Sequence, residues 1–231
     1  MRANEGLVLA LPKGRILGEV MPVLARAGLR IEPAFADAGS RQLRFATSEP
    51  GLEVVRVRNF DVATFVAFGA AEIGVAGNDV LMEFDYSEIY VPLDLKVGRC
   101  RLVVAAPRED AREGKERQSR VRVATTYPEI ARRHFAARGV QAECIKLNGA
   151  IELAPLLGLC RHIVDLVQTG ATLRANGLVE VEHIADVSSR LIVNRPSLKT
   201  RPEEIGRWIE RLRAAIDELE PGRVIAATAP G

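Results

Sequence analysis

Short apolar runs that alternate with amphipathic segments are the feature of this sequence that most restricts its fold. The run from Gly6 to Leu11 ends at Pro12, as a buried strand would, and residues 16–27 then carry apolar side chains at helical spacing. Further strands are predicted at 42–47, 52–57, 72–76, 99–106, 121–125, 142–146, 163–167 and 187–193. Helices are predicted at 61–68, 128–137 and 202–219, with a shorter one within 148–157. This alternation predicts an α/β protein with largely parallel sheets and a second α/β unit after about residue 100.

Composition and charge exclude several classes of protein. A net charge of +2 over 231 residues is too small to predict a nucleic-acid or membrane partner. The longest apolar runs are strand-sized, far below the roughly 20 residues of a membrane span, and the first six residues show no signal-peptide pattern. Three widely spaced cysteines without a CxxC pair predict reduced thiols in a cytoplasmic protein. The three histidines also lack ligand spacing, so we predict no metal site built from protein side chains alone.

The segment after the predicted strand 163–167 has the form of a phosphate-binding turn. Gly170 can adopt a positive φ and lets the backbone approach a ligand, while Thr169 and Thr172 bring hydroxyl donors to the same place. A helix predicted to open at residue 171 would point free N–H groups at an anion. Asp165, near the end of the strand, could accept hydrogen bonds from sugar hydroxyls. Taken alone, the pattern is more typical of a plain structural turn, because strand–Thr–Gly–helix turns are common.

The wider spacing around this turn is more specific. The positions that share one pattern are Glu152, Gly158, Ile163, Asp165, Leu166, Thr169, Gly170, Thr172 and Leu173. Together they closely resemble the signature of the ATP phosphoribosyltransferase family, with one departure at Cys160, where the family usually has Ala, Ser or Gly. The resemblance implies a binding site for phosphoribosyl pyrophosphate formed by Glu152, Asp165, Leu166, Thr169, Gly170, Ala171 and Thr172.

Similarity to the same family extends over nearly the whole chain. The basic segments 11–15, 40–43 and 58–62 and the glycine-rich segment 69–79 resemble family motifs, although Asn78 stands where the family often has Lys. Taken singly, each Lys or Arg in these segments is more typical of a solvated surface charge. The resemblance implies that Arg15 and Arg41 are catalytic contacts to the leaving pyrophosphate and to ATP phosphates. It also implies that Lys13, Arg58 and Asp79 bind phosphate or ATP.

The fold of that family is similar to a type II periplasmic binding protein, with two α/β lobes joined by two crossing strands. The resemblance implies a first lobe of residues 1–99 and 188–231 and a second lobe of residues 100–187 that carries the phosphoribosyl pyrophosphate loop. The crossings are expected near residues 96–100 and 185–189. Because the chain ends soon after the predicted helix 202–219, we expect the short form, without a C-terminal regulatory domain.

The implied reaction is the first step of histidine biosynthesis. N1 of the adenine of ATP attacks C1 of phosphoribosyl pyrophosphate, giving N1-(5-phosphoribosyl)-ATP and pyrophosphate, with Mg²⁺ neutralising the pyrophosphate. The resemblance also implies a homodimer that joins a separate regulatory subunit resembling histidyl-tRNA synthetase in a hetero-oligomer. Two other hypotheses stay open: a solute-binding protein of the same fold without catalysis, and a regulatory or interaction module that has lost catalysis.

Overall fold

The computed structural model describes residues 6–37, 39–110 and 119–219, and these form two compact units. Within those ranges the first unit takes residues 6–77, 86–98 and 189–219, and the second takes 78–85 and 99–188. The sequence also predicts a charged, solvated excursion or hairpin at 108–122 and a frayed tail at 221–231. Residues 111–118 of the first and all of the second lie outside the described residues. None of the described helices is both long enough and apolar enough to cross a membrane.

Strands and helices alternate along much of the described chain. In order they are β1 (Leu7–Pro12), α1 (Arg15–Arg26), β2 (Arg44–Ala46), β3 (Leu52–Val57), α2 (Asn59–Ala67), β4 (Ile73–Gly77), α3 (Asn78–Phe84), β5 (Ile89–Asp94), β6 (Cys100–Pro107), β7 (Arg120–Thr125), α4 (Pro128–Ala136), β8 (Gln141–Lys146), α5 (Leu153–Leu156), β9 (His162–Val167), α6 (Ala171–Ala175), β10 (Leu178–Val187), β11 (Ser189–Asn194), α7 (Arg195–Thr200) and α8 (Pro202–Leu219). A 3₁₀ turn, Pro33–Phe35, lies between α1 and β2.

The first unit is built on a six-stranded sheet in the order β2-β3-β1-β4-β11-β5. Its central strands β3, β1 and β4 are parallel, and β1 is buried along its whole length, which explains its uninterrupted apolar sequence. Helices α1 and α8 pack in the same core as β1 and β3. Helix α8 forms because its buried side chains recur at helical spacing, at Ile205, Trp208, Ile209, Leu212 and Ile216. Each such side chain stabilises the fold by roughly 1.5–3 kcal/mol when fully buried.

The second unit is built on a five-stranded sheet in the order β10-β6-β9-β7-β8. Strands β9, β7 and β8 are parallel, whereas β6 is antiparallel to β9 and β10 is antiparallel to β6. The two-sheet α/β fold expected from the sequence is therefore confirmed, but the expectation of largely parallel sheets is wrong. Both sheets are mixed, because strands β2 and β11 in the first unit and β6 and β10 in the second run against their neighbours.

Helix α3 belongs to the second unit, whereas the predicted lobe boundaries include it in the first lobe. Its buried Glu83 carboxylate accepts hydrogen bonds from the backbone N–H groups of Glu129 (3.0 Å) and Ile130 (3.0 Å) at the start of α4. These N–H groups have no partner within their own helix, so Glu83 supplies the acceptor that the helix start needs. The contact gives a physical reason for residues 78–85 to associate with the second unit.

Candidate active site

Basic side chains gather where β1 and β3 end. The two strands are parallel and Pro12 lies opposite Val57, so Lys13 and Arg58 directly follow paired positions. The Lys13 backbone N–H donates to the carbonyl oxygen of Val57 at 2.8 Å, which holds the two chain segments together. The carboxyl ends of parallel strands are where open α/β sheets bind ligands.

Arg15 joins this edge because the turn after β1 is short. Gly14 has a φ of +88°, a backbone conformation that favours glycine, and Arg15 is the first residue of α1. The Arg15 guanidinium donates to the Glu19 carboxylate at 2.7 Å, and the second oxygen of Glu19 accepts the Gly98 backbone N–H at 2.7 Å. Half of the Arg15 side chain is exposed, and such a surface ion pair contributes little free energy. The Arg15 guanidinium can therefore exchange Glu19 for another anion at small cost.

Arg41 reaches the same edge from another direction. Strand β2 is antiparallel to β3, with Arg44 opposite Val55, so the residues before β2 lie near the carboxyl end of β3. The Leu43 carbonyl oxygen accepts the Arg56 backbone N–H at 3.0 Å and extends this pairing. The Arg41 side chain is exposed.

We call the exposed residues Lys13, Arg15, Arg41 and Arg58 the basic edge; they bring four cationic side chains to one end of one sheet.

The predicted phosphoribosyl pyrophosphate loop follows β9 in the second unit. Gly170 has a φ of +73°, and a Cβ built there would lie 3.0 Å from an Arg174 guanidinium nitrogen. Thr169 accepts the Ala171 backbone N–H at 3.3 Å through its hydroxyl, and the side chain of Thr172 is exposed. Helix α6 is only five residues long, so its dipole is smaller than the sequence pattern suggested.

The acidic side chain of Asp165 in this site has a raised pKa. Burial, and then the nearby negative charge of Glu152, raise the pKa of Asp165 to about 6, although its hydrogen bond from the Leu166 N–H acts against them. Glu152 lies directly before α5, and Leu166 is partly buried in β9. No group of three or more His, Cys, Asp and Glu in the part of the chain that the structure describes could hold a metal ion alone. Carboxylates such as Asp165 and Glu152 would fit a cation that arrives with substrate phosphates, because Mg²⁺ is commonly held by one or two carboxylates together with them.

Asp79 has a different environment from the other predicted site residues. Its side chain is 2 % exposed at the start of α3, and its carboxylate accepts the Tyr127 hydroxyl hydrogen bond at 2.7 Å. Burial raises the pKa of Asp79, while the Tyr127 hydrogen bond opposes this change. The structure thus gives Asp79 an internal partner, and its assignment to ATP or phosphate stays a prediction.

Arginines that support the loop were missed by reasoning from sequence. Arg101 in β6 donates to the Gln168 carbonyl oxygen at 3.1 Å and, through Nε, to Glu180 at 2.8 Å. Arg174 donates to the Thr169 carbonyl oxygen at 3.0 Å. The hydrogen bond from Arg101 lowers the pKa of Glu180. The Arg101 contact depends on antiparallel pairing between β6 and β9, which no local sequence pattern indicates.

Known proteins resemble this chain over most of its length. The family model described as HisG: ATP phosphoribosyltransferase matches residues 58–214. The chain is 68 % identical over 216 residues to an ATP phosphoribosyltransferase of Rhodospirillum rubrum, covering 93 % of this chain and 95 % of the relative. A second ATP phosphoribosyltransferase, from Paramagnetospirillum magneticum, is 65 % identical over 93 % of this chain and 99 % of its own length.

A solved structure shows the same likeness in three dimensions. A chain of the ATP phosphoribosyl transferase (HisG:HisZ) complex from Thermotoga maritima matches with a TM-score of 0.79 and 32 % identity. The match covers 92 % of this chain and 99 % of that chain. Both the matched length and the identity to the relatives are ample to assign the family, and the chain therefore belongs to the ATP phosphoribosyltransferases, the pentosyltransferases of the first step of histidine biosynthesis.

Proposed function

We propose that this chain transfers the phosphoribosyl group of phosphoribosyl pyrophosphate to N1 of the adenine of ATP. The loop from Asp165 to Thr172 binds the phosphoribosyl group, with Glu152 beside its ribose, and the basic edge binds pyrophosphate and the ATP phosphates. The observation that carries the proposal is that the four cationic side chains of the basic edge lie together at the carboxyl ends of β1 and β3. Two polyanionic substrates require such a concentration of positive charge.

The reaction requires positioning and charge stabilisation more than covalent help from the protein. The N1 lone pair forms a bond to C1 while the C1–O bond breaks, and the released electron pair stays on pyrophosphate. Guanidinium groups bind phosphate oxygens in a bidentate manner, so Arg15 and Arg41 stabilise the charge that develops on the leaving group. Asp165 and Glu152 accept hydrogen bonds from ribose hydroxyls and favour the positive charge that develops on the sugar.

Mg²⁺ fits this scheme as a companion of the substrate. Asp165 and Glu152 are the carboxylates that would hold the ion beside the substrate phosphates, and its positive charge would offset the negative charge of the leaving pyrophosphate. The protein residues keep the roles given above.

Partners and location complete the proposal. We place the chain in the cytoplasm as a homodimer that binds ATP and phosphoribosyl pyrophosphate. A regulatory subunit of the HisZ type, resembling histidyl-tRNA synthetase, joins it in a hetero-oligomer. The support for this association is the likeness to a chain of the Thermotoga maritima HisG:HisZ complex.

The role of Arg41 provides the sharpest test of the proposal. Arg41→Ala removes a charge that acts mainly in the transition state, so we expect kcat to fall by about 10²–10³, as on loss of one preorganised oxyanion donor. Arg26→Ala is the control, because Arg26 lies at the opposite end of α1 from Arg15 and is only loosely paired with Glu218 at 3.8 Å. Wild-type kcat in Arg41→Ala would refute the role. Absence of any ATP- and phosphoribosyl pyrophosphate-dependent turnover by the wild-type chain would favour the solute-binding alternative.

A further inference from the structure

The segment that carries Arg41 has little apolar anchorage of its own. Among its described residues, 36, 37 and 39–43, all side chains are exposed except Ser40, which is half-buried. The segment's largest apolar side chain, Leu43, is 56 % exposed. A segment that buries so little apolar surface depends on polar contacts to hold one conformation.

Arg56 is placed to supply those contacts. It lies in β3 at the two-residue spacing of Leu52 and Val54, so its side chain leaves the sheet on the face that packs into the core. Its guanidinium carbon lies 5.6 Å from the ring centre of Phe35 and 5.1 Å from that of Phe45. The two rings pack edge to face with their centres 4.9 Å apart. Aromatic rings attract a guanidinium and restrict where it can point.

The nitrogens of this guanidinium bind the segment's backbone. One terminal nitrogen donates to the Phe35 carbonyl oxygen at 2.8 Å, and the other donates to the Ser40 carbonyl oxygen at 3.3 Å. The Ser40 carbonyl belongs to the peptide unit that joins Ser40 to Arg41. Arg56 therefore holds the backbone directly before the predicted catalytic side chain.

The third nitrogen argues against a purely packing role for Arg56. Its Nε is buried and has no hydrogen-bond partner among the residues the structure describes, which is a cost that an apolar side chain of similar length would avoid. The two backbone contacts therefore explain the presence of an arginine between the two phenyl rings better than the volume of its side chain does.

We propose that Arg56 is a positioning residue that fixes Arg41 for catalysis. The inference rests on the proposed function, because it needs Arg41 to act on the leaving pyrophosphate. In this role Arg56 touches neither substrate. It fixes the backbone position from which the Arg41 side chain extends.

The test is a double-mutant cycle between Arg56→Met and Arg41→Ala, in the full-length chain with both substrates. Methionine keeps an unbranched apolar stem but removes both donors. Since a displacement of about 1 Å can cost about 10²-fold, we expect Arg56→Met to lower kcat roughly 10- to 100-fold. The KM values for both substrates should stay close to wild type, because the lost interaction is realised in the transition state. In the Arg41→Ala background the same change should alter kcat by less than about twofold.

Arg211→Met is the matched control. Arg211 also lies over an aromatic ring, that of Trp208 at 4.2 Å, and also donates to a backbone carbonyl oxygen, that of Ala27 at 2.8 Å. Its contacts within the described residues are with Ala27, Glu49 and Trp208 and not with the segment before β2, so its loss should lower thermal stability and leave kcat unchanged. Arg56→Lys is the second variant, because it keeps a positive charge between the rings but loses the planar guanidinium and its paired donors. Its kcat should lie between those of wild type and Arg56→Met.

The outcomes separate this inference from the proposed function. Equal effects of Arg56→Met in both backgrounds, or wild-type kcat in both Arg56 variants, overturn the positioning role while leaving Arg41 catalytic. Wild-type kcat in Arg41→Ala overturns the catalytic role of Arg41 and the inference with it. Amide hydrogen exchange over residues 39–43 gives an independent readout and should accelerate in Arg56→Met but not in Arg211→Met. Unchanged exchange in Arg56→Met would also overturn the inference.

Discussion

At the scale of single residues, Asp165 is a group whose ionisation should be visible in the stability of the whole protein. Its pKa of about 6 in the folded chain lies above the usual value of 3.8. The folded state thus holds the proton more tightly, and ionisation costs folding free energy. This cost is absent below about pH 4, grows between about pH 4 and pH 6, and is complete above that range.

We expect Asp165→Asn to stabilise the fold at neutral pH and to have little effect near pH 4. Asparagine stays uncharged and can keep the hydrogen bond from the Leu166 N–H, so it avoids the ionisation cost of about 1–3 kcal/mol at pH 8. Thermal unfolding of both proteins across pH 4–8 measures the difference. Asp217→Asn, at an exposed position on α8, controls for introducing an amide. A stability difference that does not grow with pH would contradict the raised pKa of Asp165.

At the scale of structural elements, the turn between β9 and α6 can be tested against a turn of like geometry. Gly170 and Gly139 both have a φ of +73°, so an alanine at either position should cost about 1–2 kcal/mol of backbone strain. A Cβ at position 139 meets open space, whereas one at position 170 would lie 3.0 Å from Arg174 and 3.5 Å from Glu180. We expect Gly170→Ala to weaken binding of phosphoribosyl pyrophosphate about ten- to hundredfold, as loss of a hydrogen bond to a charged group would.

Titration of both variants with each substrate measures this effect. Gly139→Ala should lose similar stability yet keep its affinity for phosphoribosyl pyrophosphate, and ATP affinity should change little in either variant. Thr172→Val removes an exposed hydroxyl from the same turn and should also weaken phosphoribosyl pyrophosphate binding. Unchanged affinity in both Gly170→Ala and Thr172→Val would remove the loop from the site.

Elements with strong local periodicity were predicted well, and those without it were missed. The predicted helix at 202–219 matches α8, and strand 52–57 matches β3, because their buried side chains recur at one period. Strand β10 gave no signal, since irregularities in its pairing with β6 break its alternation and several of its side chains are exposed. Helix α3 buries two acidic residues, although acidic residues in a sequence pattern predict an exposed surface.

The same distinction between local and long-range signals applies to the candidate site. Motifs contiguous in sequence, such as the turn at Gly170, could be predicted because their geometry is local. The residues that support them could not, since Arg101 lies 67 positions from Gln168 and Arg56 lies 16 positions from Ser40. Pairings at such separations depend on how strands associate, and an isolated arginine in a strand carries no sign of its partner.

At the scale of the whole molecule, both units already have a task in the proposed reaction. The first carries the basic edge and the second carries the loop after β9. An effector can change activity only if it binds two states of the enzyme differently, which requires a site of its own. In a hetero-oligomer of the HisG:HisZ type, a second subunit can supply that site and the free energy that couples it to catalysis.

We therefore expect histidine, the end product of the pathway, to inhibit the isolated chain weakly or not at all. Addition of a HisZ-type subunit should form a larger hetero-oligomer, raise activity and confer sensitivity to histidine. The measurement is the initial rate across a histidine titration, with and without that subunit, together with the molar mass of each mixture by light scattering. A parallel titration with D-histidine controls for non-specific effects, since a built site distinguishes enantiomers. Strong inhibition of the chain alone by L-histidine would show an effector site within this chain, and the coupling energy would then have to arise inside its own two units.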